Sequence, residues 1–137
     1  MLSTDELRKY VFDEIQIRLG NFTCENVFFM EGSENNNEGT YIFNRDNEYH
    51  ICFVEKGNIR EEIVTQELKE VLWNVVEVIS FNPIMEFAKC NRVKGKDFRR
   101  AFFAKEKEIF SLFGKDFQER KDKEIEEILK KNPYNDI

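Results

Sequence analysis

Residues 48–79 read EYHICFVEKGNIREEIVTQELKEVLWNVVEVI, and a change of period inside this stretch decides the fold. From Glu48 to Val54 the β-branched and aromatic side chains suit a pleated, half-buried surface. Gly57-Asn58 is a two-residue hairpin signal, and Ile59 to Val64 reads as the returning strand. From Thr65 onward the apolar residues recur at helical spacing. Leu68, Val71, Leu72, Val75, Val76 and Ile79 form one stripe, widened by Trp73 and Val78. A helix apolar over so much of its circumference belongs in the middle of a core.

Toward the N-terminus, Thr40-Tyr41-Ile42-Phe43 reads as a further strand, joined to the Glu48 strand by Asn44-Arg45-Asp46-Asn47. Asn26 to Met30 reads as another. Glu31 to Gly39 holds no apolar residue and reads as an exposed loop. Ser3 followed by Glu6 has capping-box spacing. Leu7, Tyr10, Val11 and Ile15 then follow at helical spacing, which predicts a helix over 4–19 ended by Gly20.

Toward the C-terminus, Asn82-Pro83 predicts a kink or break, because proline lacks a donor and crowds the preceding turn. A second helical segment, Pro83 to Arg92, would start with Asn82 as its cap. Asp97 is placed to cap the next helix, whose stripe is Phe98, Phe102, Ile109 and Phe113, with Gly114 as its stop. Asp116 is placed to cap a last helix carrying Phe117, Ile125, Ile128 and Leu129, stopped by Asn132-Pro133. The expected architecture is segregated α+β. An N-terminal helix precedes an antiparallel β meander of three or four strands. A C-terminal bundle of three or four helices then packs on one face of the sheet, leaving the other open. At 137 residues the chain reads as a single domain, 1–137.

Fourteen phenylalanines supply core material, and 35% charged residues argue for solubility. No stretch offers the roughly 20 uninterrupted apolar residues of a membrane span. The acidic start, Met1 to Glu6, lacks the order of a signal peptide, which predicts a cytosolic protein. Cys24, Cys52 and Cys90 are odd in number and widely spaced, the pattern of reduced, mostly buried thiols. No metal-ligand spacing and no cofactor motif occurs. The net charge of −6 is unevenly placed. Residues 31–62 are acidic and residues 94–107 are basic.

His50, the lone histidine, has no nucleophile in a recognisable setting and reads as an ordinary strand residue. The acids Glu61-Glu62, Glu67 and Glu70 read as solvated. The basic stretch 94–107 interleaves aromatics, as some nucleic-acid binders do. Its rings fall on the helix's core stripe, and the chain is acidic, so nucleic acid is an unlikely partner. The charges of the last helix read as a solvated face. Asn91, Arg92, Asp97, Arg99 and Arg100 form a polar knot between apolar patterns. Arginine near a core needs carboxylate or carbonyl partners for its planar fork, so the knot reads as a structural network, with Asp97 capping its helix and Arg92 or Arg99 tying helices to the sheet.

The helical half resembles a family of bacterial immunity proteins. The resemblance rests on Asn91-Arg92, Asp97, Arg99-Arg100 and Phe103, then an amphipathic helix, then a charged helix ending Ile128-Leu129, Pro133-Tyr134 and Asp136. Tyr41-Ile42-Phe43 and Glu48-Tyr49-His50 extend it less distinctively over residues 40–136. Such proteins are encoded beside polymorphic or contact-dependent toxins and neutralise them. The resemblance implies stoichiometric inhibition without catalysis and a toxin C-terminal domain as partner, some of these being nucleases with basic clefts. The acidic residues Glu31, Glu34, Glu38, Asp46 and Glu48 are then the expected partner-binding set. The alternative is a small regulatory or nucleic-acid-associated module using the basic helix 94–107. The oligomeric state is left open.

Overall fold

The computed structural model describes residues 1–32 and 37–137. The elements run α1 (Thr4–Leu19), β1 (Val27–Phe28), β2 (Gly39–Arg45), β3 (Glu48–Glu55), β4 (Asn58–Thr65), α2 (Leu68–Cys90), α3 (Arg99–Ser111) and α4 (Lys115–Lys131). The architecture is α+β: a helix, a sheet, then three helices. The chain forms two compact units, Met1–Glu77 and Val78–Ile137, and the boundary falls inside α2.

In the first unit the capping box closes as expected. Ser3 Oγ accepts the Glu6 N–H at 3.1 Å, and Glu6 Oε1 accepts the Ser3 N–H at 2.9 Å. Leu7, Val11 and Ile15 make the buried face of α1. The sheet order is β1-β2-β3-β4. β2, β3 and β4 form an antiparallel meander, while β1 adds to β2 in parallel, so the sheet is mixed. The first hairpin is tighter than expected and the second is shifted by one residue. β2 continues through Arg45, and Asp46 and Asn47 make a two-residue turn with φ of 54° and 60°. The second turn is Lys56-Gly57, at φ 53° and 77°, with Asn58 already in β4. Positive φ at both central residues is the type I′ requirement, whose twist matches that of the strands.

The expected open face is covered over β2 and half of β3. Tyr41, Phe43 and Cys52 are buried there, with Phe28 and Val54 against them. Phe28 stacks on Tyr41 at 5.0 Å, and the Tyr41 hydroxyl donates to the Asn37 carbonyl at 2.5 Å. The opposite face meets α1, where Asn44 donates its N–H to Thr4 Oγ1 at 3.0 Å and its Nδ2 to the Leu2 carbonyl at 2.7 Å. Of the Glu31 to Gly39 loop, residues 33–36 lie outside the described residues.

α2 is one 23-residue helix, with Pro83 inside it. The expected break does not occur. Pro83 is exposed, so its ring stands toward solvent instead of crowding the packed core. The helix has the length and composition of a membrane span, but 56% of that window is buried in the protein, as in a core helix. Asn74 sits in its apolar stripe and donates to the Glu70 carbonyl at 2.9 Å, so the buried amide is satisfied.

In the second unit, Phe102 of α3 meets Phe81 of α2 edge-on at 6.0 Å, and Lys105 lies 4.8 Å over the Phe87 ring. α3 and α4 are linked through the stacked pair Phe113 and Phe117 at 5.8 Å. Gly114, at φ 107°, is the cap of α4, and Asp116 sits one position inside its first turn rather than at the cap. Asn132 ends the helix as expected.

Candidate functional site

The polar knot closes as a clasp between the start of α3 and the chain after α4. Asp97 Oδ1 accepts the Arg99 N–H at 2.8 Å, although the cap position of α3 falls one residue later than expected, on Phe98, which makes no side-chain cap bond. The Arg99 fork grips the same carboxylate at 2.9 Å. Its other donations go to the Asn132 and Pro133 carbonyls, each at 2.8 Å. The arginine therefore ties the helix to the C-terminal tail. The arrangement is reciprocal. Asp97 Oδ2 accepts the Asn135 N–H at 2.8 Å, and Asp136 Oδ1 accepts the Asp97 N–H at 2.7 Å. Arg100 holds Asp136 through Nε and Nη2 and lies 4.0 Å over the Tyr134 ring.

These contacts set the electrostatics. The Arg99 guanidinium, then the Asn135 and Arg99 N–H groups, hold the Asp97 carboxyl far below the usual carboxylate range. The Arg100 guanidinium, then the Asp97 N–H, lowers Asp136 to about 2. Asn91 and Arg92 stand apart from the clasp. Asn91 Nδ2 donates to the Phe87 carbonyl at 2.8 Å, finishing α2, and Arg92 is exposed in the following loop. The clasp thus engages both arginines of the basic stretch 94–107.

α4 holds a feature that its dense charges concealed. Lys121 is fully buried. Its ammonium lies 3.0 Å from Glu124, 3.6 Å from Glu106 on α3, and 4.3 Å over the Phe110 ring.

The acidic candidates lie in the first unit and do not form one cluster. Glu31 is ion-paired with Arg45. Glu38 Oε1 accepts the Lys56 N–H at 2.9 Å, binding the loop to the second hairpin. Asp46 occupies the first hairpin turn, and Glu48 opens β3 opposite Arg45. Neither carries an ion pair among the described residues. Glu34 lies outside the described residues. Two acids that read as merely solvated prove well placed. Glu61 and Glu62 stand exposed in β4, the strand at the sheet's end.

His50 stacks flat on Phe43, with centroids 5.1 Å apart, and its Nδ1 lies 2.7 Å from Glu62 Oε1. Cys52 is two residues along the same face. Burial pushes its thiol pKa up, and the Glu62 charge pushes it further. A nucleophilic cysteine needs the opposite environment. Cys24 is half-buried and Cys90 exposed, so only one of the three thiols is a core residue. Among the described residues no group of three or more His, Cys, Asp or Glu is placed to hold a metal.

The molecule so described is a small α+β protein with an acidic sheet edge and a C-terminal clasp. The model of the family named Immunity protein 63 matches residues 46–127. That is more than half of the chain, and the protein belongs to this immunity-protein family. The match begins at the first hairpin turn and takes in β3, β4, α2, α3 and most of α4. It leaves out α1, β1, β2 and the tail half of the clasp. No match was found among curated proteins or among solved structures.

Proposed function

We propose that this protein neutralises the toxin domain encoded beside it, in a bacterial polymorphic or contact-dependent system, by binding it stoichiometrically in the cytoplasm. The observation that carries this reading is membership of the immunity family over residues 46–127. The surface chemistry supports it. Asp46, Glu48, Glu61 and Glu62 present carboxylates along the β2–β3 turn and the β4 side of the sheet. Such a face suits a basic partner, a nuclease with a positively charged cleft among them, because complementary charge speeds encounter and selects against wrong partners. The partner-binding set is accordingly revised toward β4: Asp46 and Glu48 stay, Glu61 joins, and Glu31, Glu38 and Glu62 serve the sheet's own contacts with Arg45, Lys56 and His50. The nucleic-acid alternative loses support, since Arg99 and Arg100 are committed to Asp97 and Asp136.

The test is co-expression of the toxin domain with and without this protein, followed by purification on a tag carried by one partner. Rescued growth and a stable complex are expected. The triple variant Asp46→Lys, Glu48→Lys, Glu61→Lys should weaken the complex most at low salt. Toxicity unrelieved by the wild-type protein would refute the proposal.

A further inference from the structure

We infer that the free edge of β4 is the docking site for an extended, basic segment of the toxin, which adds to the sheet as a fifth strand. This rests on the immunity reading and specifies how the partner is held. β4 ends the sheet, and among the described residues no strand pairs with its outer side. Eight residues of strand at about 3.3 Å each offer roughly 26 Å of unpaired backbone donors and acceptors. Five of those residues, Asn58 to Glu62, are exposed in an unbroken run, and Val64 is exposed beyond them.

The side chains along this edge specify the occupant. Ile59 pairs with Val54, Glu62 with Cys52 and Val64 with His50. Residues directly opposite in antiparallel strands share a face, so Ile59, Glu62 and Val64 lie on one side. Ile59 is 59% exposed and Val64 46%, two apolar contacts flanking a carboxylate. Glu61 adds a second carboxylate and has no ion pair among the described residues. Arg60 is neutralised by Glu55 at 3.6 Å. A shallow depression of about 400 Å³ runs across this end of the sheet from Asn26 and Thr40 through Phe53 and Val54 to Arg60, which brings it to the start of β4.

A second copy of this chain fits the edge poorly. Antiparallel pairing of β4 with itself centred on Glu61 or on Glu62 would set that carboxylate opposite its own copy, and like charges opposite one another destabilise a ladder. A basic strand meets the same carboxylates favourably. Strand addition draws affinity from backbone hydrogen bonds and specificity from alternate side chains. β4 provides both.

Hydrogen exchange followed by mass spectrometry, on the protein alone and in its complex with the toxin domain, tests this. Exchange across residues 58–65 should slow by about tenfold or more in the complex. Val64→Lys, at an exposed position, should leave the melting temperature unchanged and weaken binding about tenfold. A complex that forms and rescues growth with exchange over 58–65 unchanged would overturn the edge as docking site while sparing the immunity function. Protection of 58–65 in the protein alone, with a dimeric mass, would assign the edge to self-association and also overturn the inference. Failure of any complex to form would remove the function and the inference together.

Discussion

Lys121 allows a quantitative test of how the second unit is held together. Its side chain is buried, while Glu106 is 17% exposed and Glu124 41% exposed. At an effective dielectric near 20, charges 3–4 Å apart attract by roughly 4–5 kcal/mol. Desolvating the ammonium costs several kcal/mol against this, so the net worth of the charge is small. Replacing the whole charge and removing only its partners should therefore differ sharply. Lys121→Met keeps most of the stem's packing on Phe110 and removes the buried charge. Its effect on stability should stay within about 1.5 kcal/mol in either direction. The double variant Glu106→Gln, Glu124→Gln leaves the ammonium buried without its two carboxylates. That should cost about 3 kcal/mol, the low end of the range for a broken buried pair, because Glu124 is partly screened by water. For a chain of this length about 1 kcal/mol corresponds to roughly 3–5 °C in Tm. Thermal melts followed by circular dichroism should thus show the double variant falling by about 10–15 °C, with Lys121→Met nearly unmoved. A Met variant that falls as far as the double Gln variant would refute the reasoning and show that the charge is itself a net stabiliser.

Other consequences are as specific. Arg99→Ala should lower Tm and speed proteolysis of the tail after Asn132, read by limited digestion, because it frees the Asn132 and Pro133 carbonyls together with the Asp97 carboxylate. Asp97 and Asp136 are more acidic folded than their ordinary value of 3.8. Their stabilisation is therefore complete above that value and lost as pH falls through the folded values, about 2 for Asp136. Asp136→Asn should flatten the decline of stability between about pH 4 and pH 2 expected in acid melts of the wild type. Pro83→Ala should raise stability by about 1–3 kcal/mol in a urea titration, since alanine restores an intrahelical donor at an exposed site. Gly39→Ala should destabilise by more than about 1 kcal/mol. Gly39 sits at φ +152°, and an added Cβ would lie 2.9 Å from the Phe28 ring and press on the Asn26 carbonyl.

The elements were legible in the sequence wherever the cause was local. The Ser3–Glu6 box, the alternation of the strands and the change of period after Thr65 all act within a few residues. The first connection was read two residues too long, because Asn44 and Arg45 still pair in β2, and the second was shifted by one, because Gly57-Asn58 carried a signal like that of Lys56-Gly57, which holds the two positive φ angles. Pro83 was misread because propensity says that a proline breaks a helix, whereas an exposed proline in a helix held by Ile84 and Ala88 beyond it does not. The clasp was half legible. Asp97 and Arg99 announced a network, but Asp136 lies 39 residues from Asp97 and gave no sign of which arginine it meets. Lys121 was missed, although a signal existed. Phe117, Lys121 and Ile125 recur every fourth residue, so the lysine interrupts the buried stripe at the one place where a charge most needs partners. For the acidic face, the sequence supplied the charge of residues 31–62, but only the structure shows that Glu61 stands exposed on the last strand of the sheet while Glu31, Glu38 and Glu62 are held by Arg45, Lys56 and His50.

The central claim is that the protein inhibits by occupying its toxin one-to-one. The most direct measurement is a titration of purified toxin-domain activity with purified protein, paired with native mass determination of the complex. The account predicts activity falling linearly to zero at one equivalent, and a complex of matching stoichiometry. Activity abolished far below one equivalent, or persisting in excess inhibitor, would contradict it.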